Sequence, residues 1–277
     1  VATSAGCGSF TYAGQPFGAT VTARNASGAT TYNYDGSAST SPNFAKTLTL
    51  TEAATLGLGS WSNNSIAPAG FSAGVGSASP SYAFTTKQTT PQSFTLRGVD
   101  ADGVSSAGYV EGSVALRSGR LRLSNAFGSA TASLQLPVTA EYWGGNAWVL
   151  NSADNCSALA AANVVVSNPR TAQGNTSTAA TSAGALSLVN GQANLVLAAP
   201  SPAGASVSFD LAFNLGSSST DQSCQANHPA STGAAKAWLR SRNGSCASSW
   251  DRDPAGRASF GIFSPETRKT VHVREIF

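Results

Sequence analysis

From Leu134 to Tyr142 every second residue is apolar: Leu134, Leu136, Val138, Ala140 and Tyr142 alternate with Gln135, Pro137, Thr139 and Glu141. Successive side chains on a strand point to opposite faces, so this spacing builds one apolar and one polar face and fits no 3.6-residue helical period. Pro137 lies on the polar side and has no N–H for a ladder, which assigns the strand to a sheet edge or a bulge. Gly144, Gly145 and Asn146 turn the chain between Tyr142–Trp143 and Trp148, as a hairpin with a loop of three or slightly more residues requires. The period of two returns in Phe94–Val99 and in the run Val207, Phe209, Leu211, Phe213 and Leu215. In ALSLVNGQANLVL, Asn190-Gly191 supplies the positive φ of a type I′ turn, which sets Leu188 opposite Ala193 and Leu186 opposite Leu195.

Upstream, short strands are expected at 17–24, 30–34, 44–50, 84–86 and 93–99, with Trp61 and Phe71 anchoring the Gly-, Ser- and Asn-rich stretch between them. Short strands at this spacing imply an all-β chain of two consecutive immunoglobulin-like β-sandwich domains. The stretch DADGVSSAG breaks the pattern, so the boundary is placed near Gly108, giving residues 1–108 and a larger unit, 109–277. Asp100 and Asp102 before Gly103 have the look of a calcium loop, but Glu111 falls one residue short of the position such a loop needs, and an Asp-Gly turn explains them without metal. A helical turn is expected within 157–162, and Ser231 is placed to cap a short helix through Arg240.

The stretch GRLRLSNAFGS, then LPVTAEYWGGNAWVLNSADNC, and later DPAGRASFGIF with a closing Arg274, Glu275 and Phe277 resembles the C-terminal region of MshQ-like proteins. These are large exported bacterial proteins associated with biogenesis of the mannose-sensitive haemagglutinin (MSHA) type IV pilus. Cys7 to Gly36 resembles the β-domain that precedes that region, so the resemblance covers nearly the whole chain. It implies an exported, surface or pilus-associated protein whose partners are pilus subunits or other surface proteins.

Composition agrees with a folded chain. Only 10% of the 277 residues are charged, against roughly 25% in typical soluble domains, and 28 glycines accompany abundant Ser, Thr and Ala. Strand-period apolar residues are too many for a disordered chain. With Val1 first and no methionine, the chain reads as a processed product or a fragment; it contains no signal peptide and no apolar run long enough for a membrane span. The net charge is +3, and the basic groups Arg117, Arg120, Arg122 and Arg240, Arg242, Arg252, Arg257 read as solvated faces rather than a nucleic-acid footprint.

Four cysteines without a CxxC pair favour disulfides in an oxidising compartment over a metal site. Three pairings are open. Cys224 with Cys246 closes a short excursion, which leaves Cys7 and Cys156 to tie the first domain to the second; free, buried thiols are the alternative.

Catalytic residues are few. His228 and His272 sit in no nucleophile or metal pattern, and neither a G-x-S-x-G elbow nor an HExxH helix occurs. Asp251 and Asp253 are the candidate carboxylate pair for a carbohydrate-processing enzyme, but both fall in a turn before Pro254. The expectation is a non-catalytic structural and adhesive module that needs no cofactor. Trp61, Trp143 and Trp250 are the candidate ligand-binding residues, for a glycan ring or a protein partner, against the reading that each caps a core. A filament subunit that polymerises through its edge strands, the 270–277 strand above all, is the first alternative. An outer-membrane barrel strand is excluded there by Glu275, which occupies a lipid-facing position.

Overall fold

The computed structural model describes residues 1–37, 39–242 and 249–261. It is all-β. Among the described residues the helical elements are three single turns of 3-10 helix, Pro68–Gly70, Ala161–Asn163 and Ala237–Leu239, and no helix is long and apolar enough to cross a membrane.

The first sandwich contains β1 (Ala2–Ser4), β2 (Thr11–Tyr12), β3 (Gly18–Thr22), β4 (Leu48–Glu52), β5 (Gly59–Ser62), β6 (Ser65–Ile66), β7 (Phe71–Ser72), β8 (Val75–Ala78), β9 (Ser81–Phe84), β10 (Gln92–Asp100) and β11 (Ser113–Arg117). One sheet runs β1-β3-β8-β7, the other β2-β11-β10-β4-β6, and β5 pairs with β9. Alternate residues of both sheets, among them Ala19, Val21, Leu48, Leu50, Leu96 and Leu116, point between them into one core. Residue 108 falls in the loop between β10 and β11; β11 pairs with β10 and buries Val114 and Leu116 in this first core.

The second sandwich contains β12 (Gly119–Leu123), β13 (Ala126–Gly128), β14 (Leu134–Trp143), β15 (Trp148–Leu150), β16 (Ala158–Leu159), β17 (Val164–Thr171), β18 (Leu186–Ser187), β19 (Gln192–Leu197), β20 (Val207–Phe213) and β21 (Ala255–Phe260). One sheet runs β12-β14-β15 with β19 also on β14; the other runs β13-β21-β20-β17. The alternations Leu134–Ala140 and Val207–Phe213 supply its two facing walls. Among the described residues each sandwich contains one parallel pair, β2 with β11 and β13 with β21; the other pairings are antiparallel.

Four expectations are corrected. β14 is interior, paired with β12 on one side and β19 on the other. Pro137 is tolerated because its missing donor faces past the last paired residue of β12, where its carbonyl accepts from Ser124 N at 2.9 Å. Asn190 and Gly191 do turn with φ of 51° and 74°, but beyond the Val189–Gln192 bridge the strands part. Leu186 pairs with Leu159 of β16, while β19 gives all six of its residues to β14. Residues 231–236 form no helix, because their N–H groups go to the distant carbonyls of Ser219, Ala162, Asn214, Gly216 and Leu215. Of the strand expected at 30–34, a single bridge between Arg24 and Thr30 is present.

Candidate functional site at the domain junction

The first residues of the chain do not stay in the first core. Cys7, Phe10 and Tyr12 are buried in the core of the second sandwich, although Thr11–Tyr12 pairs with β11 of the first. Cys7 is bonded to Cys156 there, with Cα atoms 5.5 Å apart, the link between domains that the sequence offered as one pairing. The proposed partner of Cys224, Cys246, lies outside the described residues.

Around the disulfide the polar groups are fully engaged. The Tyr12 hydroxyl donates to Asp154 Oδ2 at 2.7 Å and accepts from Asn151 Nδ2 at 2.7 Å. Arg117 Nη1 donates to Asn151 Oδ1 at 2.5 Å, and its guanidinium lies over the Phe10 and Tyr142 rings at 4.7 and 4.9 Å. Asp154 Oδ1 accepts the N–H groups of Cys156 and Ser157 at 3.1 and 2.9 Å. Burial, and then the Asp154 charge, raise the Tyr12 phenol far above its ordinary value. Cys7, Asp154 and Cys156 are close enough to hold a metal, but their sulfurs are joined to each other and offer no thiolate.

Beside this network the junction opens into a cleft of about 570 Å³. Ala13, Gly14, Ala83, Phe84, Thr85 and Lys87 form one wall; Ala237, Trp238, Ser249 and Trp250 form the other; Ser118, between the domains, completes the lining. Lys87 is its one charged lining residue among those described, and its ammonium donates across the cleft to the Trp238 carbonyl. Burial pushes that ammonium down to about 7. The Ser118 hydroxyl is buried without a hydrogen-bond partner. Such a group in a native fold calls for a water, an ion or a ligand.

Of the three tryptophans singled out in the sequence, Trp250 lines the cleft. Trp143 stands opposite Trp148 across the β14–β15 ladder with rings 5.6 Å apart, and Trp148 packs on Trp250 at 5.4 Å, so the hairpin buttresses the cleft. Arg120 covers Trp148 at 4.5 Å and pairs with Glu141 at 2.6 Å. Trp61 is elsewhere, edge-on to Tyr82 and Phe94 in the first core.

Asp100 accepts the N–H groups of Asp102 and Val104 and the Tyr34 hydroxyl, while Asp102 pairs with Lys46 at 3.3 Å. Asp253 is fully buried against Arg240 at 2.7 Å, whereas Asp251 faces Ser249 and Arg252, so the two carboxylates serve separate structural contacts. The basic groups are likewise engaged: Arg122 reaches Glu141 at 4.0 Å and Arg257 reaches Asp210 at 2.9 Å. His228 bridges Ser167 and Gln225 at 2.9 and 3.0 Å, and His272 lies outside the described residues. The sequence reading missed Lys87, Ser118 and Trp238, since no motif marks them.

Two sandwiches joined by a disulfide, a buried polar network and a lined cleft define a two-domain all-β module. The chain belongs to the DUF6701 family: the model of the third domain matches residues 1–113 and that of the fourth domain residues 117–276. Among solved structures it is similar to the Yersinia pseudotuberculosis adhesin InvE, at 14% identity and a TM-score of 0.31 over 94% of this chain. It spans 56% of that adhesin chain. The C-terminal domain of the Streptococcus agalactiae AgI/II polypeptide BspA matches at 11% identity and a TM-score of 0.21, over 75% of this chain and 91% of that one. Likenesses at these scores carry no argument about function. No curated protein matches the chain.

Proposed function

We propose that this chain is an exported, non-catalytic structural and adhesive module, held rigid at its domain junction so that it presents one surface to glycans, cell surfaces or pilus subunits. The Cys7–Cys156 bond carries the reading. A bond that closes 149 residues and joins one sandwich to the core of the other is maintained in oxidising compartments and suits a part that must keep its shape outside the cell. Association with a type IV pilus rests on the MshQ-like resemblance of the sequence. The engagement of Asp251, Asp253 and His228 in structural contacts supports a non-catalytic role.

Two edges of the second sandwich, β17 and β19, weigh against polymerisation by strand exchange through them. β17 is broken by a bulge between Ser167 and Arg170, where Asn168 has φ of 49° and Pro169 lacks a donor. The outer edge of β19 is covered by the Ala183–Leu197 bridge and by Gly184 N on the Val196 carbonyl at 2.9 Å. The 270–277 strand proposed for exchange lies outside the described residues.

The test is adhesion of the purified chain to immobilised bacterial and host cells and to pili, with light scattering on the same sample. A monomer that binds one of these surfaces supports the reading; a monomer that binds none of them, or growth into filaments, sinks it.

A further inference from the structure

We propose that the cleft between the two sandwiches binds an acidic sugar, a pyranose ring bearing a carboxylate, with Lys87 as its counter-ion and Trp238 and Trp250 as its stacking wall. This deepens the adhesive reading and rests on it.

Four observations converge. The volume, about 570 Å³, lies within the range of about 300 to 1,000 Å³ found for ligand pockets. Trp238 and Trp250 on one wall and Phe84 on the other supply the aromatic lining on which a sugar ring stacks through its C–H groups. An ammonium has three donors, and Lys87 directs one of them to the Trp238 carbonyl, leaving two for a carboxylate. Ser118 is 1% exposed, lines the cleft and has no hydrogen-bond partner, so a ligand hydroxyl or carboxylate that reached it would satisfy a polar group the fold leaves bare.

The charge selects the class. No carboxylate lines the cleft among the described residues, and its single cation favours an anion over a neutral sugar. The other charged groups nearby do not compete: Lys236 lies over the Trp238 ring at 5.9 Å, and Asp251 is bonded by Ser249, which with Arg252 holds its carboxyl below the ordinary range. Binding an anion requires Lys87 to be protonated, and its ammonium is pushed down to about 7. Affinity is therefore greatest below pH 7 and falls by about tenfold per pH unit above it, until the pKa of the bound state is passed.

The experiment is calorimetric titration of the whole chain with methyl glucuronide, methyl sialoside and methyl glucoside at pH 6.0 and 8.0, repeated with Lys87→Met, Ser118→Ala and Trp250→Ala. Expected are binding of an acidic glycoside at least tenfold tighter than methyl glucoside, weakening of about tenfold at pH 8.0, and loss of the preference in Lys87→Met. Thermal melts establish that each variant is folded; Ser118→Ala, which removes one oxygen from an unpaired position, provides the test that does not depend on the larger changes. Equal binding of the neutral sugar, no binding at either pH, or an undiminished preference in folded Lys87→Met overturns the proposal. Adhesion of the chain to cells that persists while both acidic glycosides fail to bind overturns this inference and leaves the adhesive reading standing.

Discussion

On one flank of the junction Cys7, Tyr12 and Arg117 meet Asn151, Asp154 and Cys156 through a covalent bond and hydrogen bonds of 2.5 to 2.7 Å. On the other flank Ala13, Gly14, Phe84, Thr85 and Lys87 face Trp238 and Trp250 across open space, crossed by the hydrogen bond from Lys87. The same stretch of chain, residues 7–14, serves both. What separates the flanks is how far their polar groups are satisfied. Every buried polar atom named on the first has a partner, which fixes the angle between the sandwiches; the second holds a desolvated ammonium and a bare hydroxyl. A site with unsatisfied groups keeps its shape only when something else holds its walls. The locked flank does that for the open one.

Breaking the lock gives the largest effect. Cys7→Ser removes a 149-residue closure, and the unfolding free energy is expected to fall by about 2–5 kcal/mol in denaturant titrations; reductant added to the native chain, which also opens the disulfide of Cys224, is expected to cost at least as much. No change on reduction would mean that the polar network alone fixes the junction. Next is Gly119→Ala. The added methyl would lie within the Tyr12 ring, which is fully buried and has nowhere to move, so a loss of about 1–3 kcal/mol is expected. Tyr12→Phe keeps the ring and strips the hydroxyl from Asp154 and Asn151, for an expected loss of about 1–2 kcal/mol. A Gly119→Ala chain as stable as the parent would show that the flank is looser than its distances imply.

The open flank responds in the other direction, and with pH. The unfolded chain holds a proton on Lys87 up to the ordinary value of 10.5, whereas the folded chain releases it near 7. Between these values the unfolded state binds the extra proton, so stability rises with pH through that window and this contribution is flat below it. Lys87→Met is expected to abolish the rise and to be more stable than the parent at pH 7 by about 1–2 kcal/mol, an amount reduced for a half-buried group. Denaturant midpoints at pH 6, 8 and 10 measure it. Parallel curves for parent and variant would place the ammonium in water.

The legible part of the molecule was its periodicity. Alternation in 134–142 and 207–215 placed both walls of the second core, because burial on one face leaves a mark at every second residue. The turn at Asn190-Gly191 was legible for a local reason, the positive φ, whereas the path of its strands was not. Pairing of Leu186 with Leu159 depends on a neighbour 27 positions away, and the sequence around the turn says nothing of it. Cys7 and Cys156 were readable as one of three pairings. Trp250 reached the cleft, and Trp143 supports it through Trp148; Trp61 fills the first core, as aromatic residues among polar neighbours often do. Lys87 and Ser118 were illegible. A lysine in a Thr-rich loop and a serine before a glycine are ordinary until a second domain folds over them.

Ser118→Ala has the smallest expected effect and distinguishes the two flanks most directly. On the locked flank every hydroxyl removed strands a partner; here there is none to strand. Deleting an unsatisfied buried hydroxyl removes its desolvation cost and leaves a space no larger than one oxygen atom, so stability should be unchanged or higher by up to about 1 kcal/mol. A water held by Ser118 would reverse the sign, because its loss would leave that water short of one bond, and the variant would then be less stable by about 0.5–1 kcal/mol. Denaturant midpoints for Tyr12→Phe and Ser118→Ala, both deletions of one buried hydroxyl, are therefore the matched pair. Opposite signs mean that the flanks differ as their hydrogen bonds imply, and equal losses mean that the cleft is as fully satisfied in water as the disulfide side is in protein.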